Sequence, residues 1–213
     1  MKPKHSGKMH DFPMPVHSGY DIDSYEVPSH DECLKINWAV YMLSFETAEA
    51  FQALYDNENE VLDKMGFFWQ TVARFFKNES SVLGYELMNE PNPGNFYHDL
   101  RQLLWSGTTD AKYLEPMYDH LAEYVRTEDQ DHMIFFEPMV VNLGKNGFTH
   151  PPGGAEYANR SALSFHYYMP HFMQKYMFGN FQEGMQRLRI GGMLTEFDVR
   201  YHLPEEQENG KKK

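Results

Sequence analysis

The sequence has little cysteine, little positive charge and no long apolar run. A single cysteine, Cys33, cannot form an intrachain disulfide, so cysteine content says little about compartment. Nineteen Lys and Arg stand against 31 Asp and Glu, for a net charge of −12. A nucleic-acid-binding protein needs a concentrated basic face, so this balance argues against nucleic acid as a partner. No stretch approaches the roughly 18 to 20 consecutive apolar residues that a membrane-spanning helix requires.

The remaining composition is that of an acidic, aromatic-rich globular chain. Its 213 residues correspond to one domain or two small ones, and 41% hydrophobic with 15% aromatic residues supports a packed core. The first residues, Met1 to His5, lack the apolar region of a signal peptide, so we expect none in this sequence.

Three segments follow from local composition. Residues 1–37 are rich in Pro, His, Gly, Ser and Asp without a sustained period, which predicts an irregular arm or loop. Residues 38–203 carry the periodic patterns of a folded domain, and residues 204–213 form a polar tail.

Within residues 38–203, helical and strand patterns alternate. Helices are predicted from an N-cap at Ser44 to Tyr55, over 62–77, over 114–125 and over 172–188. Short apolar runs predict strands near 82–88, 133–137, 162–167 and 190–195. This alternation is typical of α/β proteins with a parallel sheet, and we expect a partial (β/α)8 barrel with four parallel strands.

Each predicted strand ends at a polar or ionisable residue, and two of these residues are glutamates. Glu90 and Glu196 follow the first and fourth strands. Retaining hydrolysis of a glycosidic bond needs two carboxyl groups about 5 Å apart, one as acid and one as nucleophile. The alternative is that each glutamate only caps a strand or binds a helix terminus. A curved parallel sheet would bring both strand ends to one mouth, which favours the catalytic interpretation.

The motifs around these strands resemble glycoside hydrolase family 5, and within it the endoglycoceramidases. The resemblance is carried, in order, by FQALYDN at 51–57, VLGYELMNEP at 82–91, FFEP at 135–138, PPGG at 151–154, SFHYY at 164–168 and GMLTEF at 192–197. It extends from about residue 11 to residue 201 and implies cleavage of the bond between glycan and ceramide.

The resemblance also implies roles for five residues. Glu90 would be the general acid/base and Glu196 the nucleophile. Asn89 would bind the sugar 2-hydroxyl, His166 would contact substrate or the acid/base, and Tyr168 would orient the nucleophile.

Two further glutamates and the histidines are interpreted differently. Glu86 alternates within its strand and is predicted to be structural, facing a helix or the barrel interior. Glu137 ends a strand at the mouth and is expected to line the sugar subsite without being catalytic. The 11 histidines show no metal-ligand spacing, and glycoside hydrolysis needs no metal, so neither metal nor cofactor is expected.

The resemblance assigns the four strands as strands four to seven of the barrel. Counterparts of the first three strands, with their arginine and His/Asp-rich motif, and of the eighth strand, with its Trp, are not found. We therefore expect a fragment or truncated product of such a hydrolase. The alternatives are a non-catalytic remnant that binds glycolipid or a partner chain, and an unrelated α/β chain.

Partners and location follow from the same resemblance. The expected substrate is a glycosphingolipid or oligosaccharide, with peripheral contact to a membrane surface. Unpaired strand edges of a half barrel favour self-association. The complete protein is expected outside the cell or in a lysosomal or secretory compartment, and acceptor triplets at Asn78 and Asn159 fit glycosylation there.

Overall fold

The computed structural model describes residues 29–34 and 41–198, without the side chains of residues 32 and 33. Within the predicted arm it describes one short helix, α1 (His30–Leu34), which is too short to leave a periodic pattern in the sequence. The rest of the arm, the tail at 204–213 and the boundaries at 37 and 203 lie outside the described residues and stay predictions.

Two amphipathic helices precede the sheet, as predicted. Helix α2 (Phe45–Tyr55) begins after Ser44, whose Oγ accepts the backbone N–H of Thr47 at 3.3 Å. A 3-10 turn (Glu58–Glu60) leads into helix α3 (Val61–Phe76). Asn57 caps α3 because its Oδ1 accepts the N–H of Leu62 at 2.9 Å, which satisfies a donor that the first helical turn leaves free.

Four parallel strands form one sheet in the order β1-β2-β3-β4. They are β1 (Gly84–Glu86), β2 (Met133–Phe136), β3 (Ser161–Tyr167) and β4 (Gly191–Phe197). The four-stranded parallel prediction is confirmed. Strand β1 is shorter than the predicted 82–88, although Leu87 still donates to the carbonyl of Phe135, because the chain turns away from the sheet before Glu90.

The connections between the strands differ in character. Between β1 and β2 lie α4 (Arg101–Leu104), a π-helical turn (Asp110–Leu114) and α5 (Glu115–Arg126); between β3 and β4 lies α6 (His171–Leu188). Strands β2 and β3 are joined by a loop and a 3-10 helix (Ala155–Arg160), so strict strand–helix alternation fails there. That loop is rich in glycine and proline, which disfavour an α-helix.

The core lies between the sheet and helices α3, α5 and α6. Leu121 and Val125 of α5 are fully buried, as are Ile134 and Phe136 of β2. Burying each such side chain contributes about 1.5–3 kcal/mol. Helix α3 approaches α5 closely at Gly66, where a Cβ would lie 2.5 Å from the ring of Tyr124. In the part of the chain that the structure describes, no helix is long and apolar enough to cross a membrane.

Candidate active site

The carboxyl ends of the four strands carry the ionisable residues of one site. Glu137 directly follows β2, Glu90 lies in the turn after β1, and His166 and Glu196 belong to β3 and β4. Because all four strands are parallel, their carboxyl-terminal ends lie on the same side of the sheet. In a β/α barrel this side is the mouth.

The two predicted catalytic carboxyls lie close together. One carboxylate oxygen of Glu90, one of Glu196 and one ring nitrogen of His166 all lie within 4.8 Å of one another. Carboxyl groups about 5 Å apart suit a retaining mechanism, whereas inverting enzymes need about 6.5–9.5 Å to admit a water. The nearest oxygens of Glu90 and Glu196 are thus closer than the separation that inverting enzymes need.

A β-bulge in β4 brings Glu196 to this position. Phe165 pairs with Leu194, whereas His166 pairs with Glu196, so Thr195 is an extra residue in β4. Thr195 packs beside β3, with its Oγ1 2.8 Å from Oγ of Ser164. Strict alternation would turn Glu196 away from His166, and the bulge re-aims its side chain into the mouth.

His166 lies at the centre of the site and contacts three carboxyls. Its Nδ1 is 2.8 Å from Oε1 of Glu90, and its Nε2 is 3.0 Å from Oε1 of Glu137 and 3.5 Å from Oε1 of Glu196. The Nε2 contacts are bent, so they act as charge contacts more than as linear hydrogen bonds. Burial alone would lower the pKa of His166, but Glu137, Glu90 and Glu196 outweigh it and raise the pKa to about 9. The imidazole is therefore cationic at neutral pH.

The backbone at Glu90 adopts a left-handed conformation, with φ at 46°. A residue with a Cβ rarely adopts this conformation, which here directs the Glu90 side chain toward His166. The backbone N–H of Glu90 donates to Oε2 of Glu137 at 3.0 Å. Burial raises the pKa of Glu137, against the lowering effect of His166 and of this N–H.

Tyr168 and Asn89 lie on the solvent side of the mouth. The hydroxyl of Tyr168 donates to Oε2 of Glu196 at 2.6 Å, and this hydrogen bond is the main cause that raises the pKa of Tyr168 to about 12. Asn89 is exposed, and its side chain makes no hydrogen bond within residues 29–34 and 41–198. Its amide is thus free to bind a ligand at the mouth.

Glu86 and Glu137 occupy the inner face of the sheet. Glu86 accepts a hydrogen bond from Ser164, but Glu86 is exposed, so its structural role stays a prediction. Glu137 was expected to line the sugar subsite, but its side chain is only 4% exposed and its carboxyl accepts the backbone N–H of Glu90. The sequence signal that relates Glu137 to Glu90 is a Glu-Pro dipeptide after each of the strands β1 and β2, at Glu90-Pro91 and Glu137-Pro138.

Two groups of side chains at the mouth could hold a cation by distance alone. They are Glu86, Glu137 and His166, and Glu90, His166 and Glu196. Both groups share His166, whose proton already neutralises part of the carboxylate charge. The expectation that the site uses no metal stays a prediction.

The fold and the site together define a β/α-barrel protein with a paired-carboxylate mouth. The model of the cellulase family (glycosyl hydrolase family 5) matches residues 29–207. The chain belongs to this family, as the motif order in the sequence indicated.

Curated relatives carry the endoglycoceramidase name. The chain is 43% identical over 189 residues to an endoglycoceramidase of Hydra vulgaris, which covers 87% of this chain and 36% of that protein. It is 40% identical over 195 residues to an endoglycoceramidase of Cyanea nozakii, which covers 90% of this chain and 38% of the relative. The chain thus spans little more than a third of the length of these relatives.

Solved structures agree on the fold. Endo-glycoceramidase II from Rhodococcus sp. in an iminocyclitol complex matches with a TM-score of 0.65 and 22% identity, over 81% of this chain and 42% of that chain. The same enzyme in a ganglioside GM3 complex matches with a TM-score of 0.60 and 21% identity, over 74% of this chain and 38% of that chain. The fold of this chain therefore corresponds to part of the larger folds of those chains.

Proposed function

We propose that this chain is the part of a retaining glycosidase that carries both catalytic carboxyls, and that the whole enzyme cleaves the glycan–ceramide bond of glycosphingolipids. The observation that carries the proposal is the proximity of Glu90 and Glu196, whose carboxylate oxygens lie within 4.8 Å of each other. The endoglycoceramidase names of the relatives support the substrate class.

The geometry fits a two-step reaction. Glu196 attacks the anomeric carbon while Glu90 protonates the departing ceramide oxygen, and a glycosyl ester forms on Glu196. Glu90 then removes a proton from water, which attacks the same carbon and releases the sugar with retained configuration. Tyr168 holds Oε2 of Glu196, which leaves Oε1 for the attack. Asn89, exposed at the mouth, is placed to bind the sugar 2-hydroxyl.

A mechanism-based sugar tests this assignment in one turnover. A 2-deoxy-2-fluoro glycoside with a good leaving group slows both steps but leaves the glycosyl ester to accumulate. We expect intact mass spectrometry to show one added sugar, and peptide mapping to place it on Glu196. Glu196→Gln should abolish the label, and Glu90→Gln should preserve it because a good leaving group needs no acid. Glu123→Gln on the exposed face of α5 is the matched control. Label on any other residue contradicts the assignment.

A second candidate is a non-catalytic glycolipid-binding or partner-associating chain. The observation that favours it is the open mouth, where the side chain of Glu196 is 41% exposed. An exposed carboxylate is well solvated and a poorer nucleophile than a desolvated one. Binding of lactosylceramide vesicles without any covalent label from the fluoro sugar would favour this candidate.

The membrane and compartment expectations are also proposals. Leu104 and Trp105, in the connection that follows the mouth-side turn after β1, are 68% and 63% exposed and could rest on a lipid surface. Asn78 and Asn159 are both exposed, which fits glycosylation in a secretory route and an extracellular or lysosomal location. Expression in secreting cells, with a mass loss after glycosidase treatment, tests the two acceptor sites.

A further inference from the structure

Glu137 touches both groups that place the side chain of Glu90. Its Oε2 accepts the backbone N–H of Glu90 at 3.0 Å, and its Oε1 lies 3.0 Å from Nε2 of His166. The opposite nitrogen of that ring, Nδ1, lies 2.8 Å from Oε1 of Glu90. Glu137 is thus linked to Glu90 twice, once through the backbone and once through His166.

We propose that Glu137 is a positioning residue for Glu90: it fixes the left-handed turn of the Glu90 backbone and holds the proton on His166. The inference deepens the proposed function and rests on the role of Glu90 as acid/base. Glu137 itself is buried below the mouth and acts only through Glu90 and His166.

The backbone link compensates an unfavourable conformation. Glu90 has a Cβ and a φ of 46°, where glycine would be the ordinary residue. A hydrogen bond from its N–H to an ionised carboxyl is stronger than one to a neutral acceptor. Strand β2 holds Glu137 rigidly, since the hydroxyl of Tyr118 donates to the Glu137 carbonyl at 2.9 Å. The turn at Glu90 is therefore anchored to the neighbouring strand.

The charge link depends on how well each carboxyl is shielded from water. The carboxyls that face His166 are those of Glu90, Glu137 and Glu196, with one oxygen of Glu86 within 4.8 Å of both Glu137 and His166. The ring of Tyr168 also faces His166, with its centroid 6.2 Å away. The side chains of Glu90 and Glu196 are 25% and 41% exposed, whereas that of Glu137 is 4% exposed. Solvent screens the first two, so Glu137 exerts the strongest pull on the His166 proton.

Histidine NMR on the 213-residue chain tests the charge link. In the wild type we expect His166 to titrate near pH 9. Glu137→Gln removes the charge but keeps the size, and should lower the His166 pKa by about 1 to 3 units. Glu137→Asp should restore most of the shift because the carboxylate remains. A His166 pKa that stays within about 0.3 units of the wild-type value in Glu137→Gln overturns the proposal.

A matched substitution controls for general effects of removing a buried charge. Glu115 lies 3.8 Å from Nε2 of His150, outside the mouth. Glu115→Gln should change the titration of His150 and leave that of His166 unchanged. If Glu115→Gln moves His166 as much as Glu137→Gln does, the effect is not specific to Glu137 and the proposal is wrong.

Amide exchange tests the backbone link. Glutamine at position 137 retains an oxygen that accepts the N–H of Glu90, and alanine does not. We expect the Glu90 amide to exchange at least about tenfold faster in Glu137→Ala than in Glu137→Gln, since loss of one hydrogen bond corresponds to roughly that factor. Equal exchange in both variants contradicts this link. Should Glu137→Ala unfold, the titration of Glu137→Gln decides the proposal.

These readouts need no turnover, so they separate this proposal from the proposed function. A chain that takes no label from the fluoro sugar, yet loses the His166 shift in Glu137→Gln, refutes the catalytic assignment alone. A chain that is labelled normally, with His166 unaffected in Glu137→Gln, refutes only the role of Glu137.

Discussion

The hydroxyl of Tyr168 donates to Oε2 of Glu196 across the edge of the sheet, at 2.6 Å. The two residues belong to neighbouring segments, Tyr168 just after β3 and Glu196 within β4. This hydrogen bond holds one carboxylate oxygen of Glu196, Oε2, and leaves the other, Oε1, turned toward His166. The orientation of the Glu196 carboxyl thus depends on Tyr168 as well as on the contact with His166.

Tyr168→Phe removes this donor and keeps the ring. We expect the rate of labelling of Glu196 by the fluoro sugar to fall by about 10- to 100-fold, because the nucleophile loses its orientation. The reciprocal change, Glu196→Gln, should lower the Tyr168 pKa from about 12 toward its ordinary value near 10. Tyrosine NMR measures the second effect, and an unchanged Tyr168 titration would contradict the hydrogen bond.

The stability of the chain should fall as pH rises from about 6.5 to 9. The pKa of His166 is raised to about 9 in the folded chain, above the value of 6.5 that an unfolded chain has. A raised histidine pKa contributes stability that is fully present below 6.5 and is lost as pH rises through 9. Urea unfolding at pH 6, 7.5 and 9 measures this slope.

The slope can be assigned to one residue. The pKa of His150 is also raised: burial lowers it, but the carbonyl of Pro151 and the carboxyl of Asp119 outweigh burial. The slope of stability against pH should therefore be measured in His150→Asn and in the double variant His150→Asn/His166→Asn. We expect the double variant to have a flatter slope. A slope that persists unchanged without His166 would show that its charge contacts add no stability.

Asp110 should be important for stability although it lies outside the mouth. Its fully buried carboxyl accepts the N–H of Met139 at 2.8 Å, the amide of Asn142 at 2.6 Å and the N–H of Gly147 at 3.0 Å. Asp110→Asn cannot accept all three, and we expect the free energy of unfolding to drop by about 2–4 kcal/mol. The control is Asp131→Asn, since the side chain of Asp131 is 88% exposed; it should change stability by less than about 0.5 kcal/mol. Equal effects in urea titrations would contradict the prediction.

Turnover of the 213-residue chain on fluorescent glucosylceramide should be very low or nil. The described sheet has four strands, whereas a complete barrel has eight, so the groups that would surround the substrate on the other side are not among those described. Misplacement by about 1 Å can cost about 100-fold in rate, and an open mouth admits water. Robust release that is lost in both Glu90→Gln and Glu196→Gln would show that four strands suffice.

The chain should self-associate through the edge of its sheet. In the described sheet β4 is an edge strand, and its Met193 and Phe197 are 45% and 51% exposed. An edge strand with exposed apolar side chains favours pairing with another chain. Met193→Lys should shift the sedimentation-velocity profile toward monomer. Phe75→Lys on helix α3, where Phe75 is 77% exposed, should leave the profile unchanged. The opposite pattern would place the contact on the outer helices.

Much of the fold could be predicted from local sequence. Ser44 as N-cap of α2, the end of α3 beside Lys77 and the four strand positions follow from periodicity and capping, which depend on neighbouring residues only. Between β2 and β3 the sequence is rich in glycine and proline, which predicts a loop. The structure has only a 3-10 helix there, so the alternation of strands and α-helices is not complete.

The sequence alone determined which residue types end the strands, because each strand is an apolar run closed by a polar residue. Tertiary structure decided what those residues do. Register and a bulge turn Glu196 toward His166, and shielding from solvent makes Glu137 a partner of the Glu90 backbone instead of a subsite residue. Both depend on strands that lie tens of residues apart in the chain but side by side in the sheet. The distances between side chains, the register of the strands and the local dielectric arise only in the folded sheet, and no local sequence pattern encodes them.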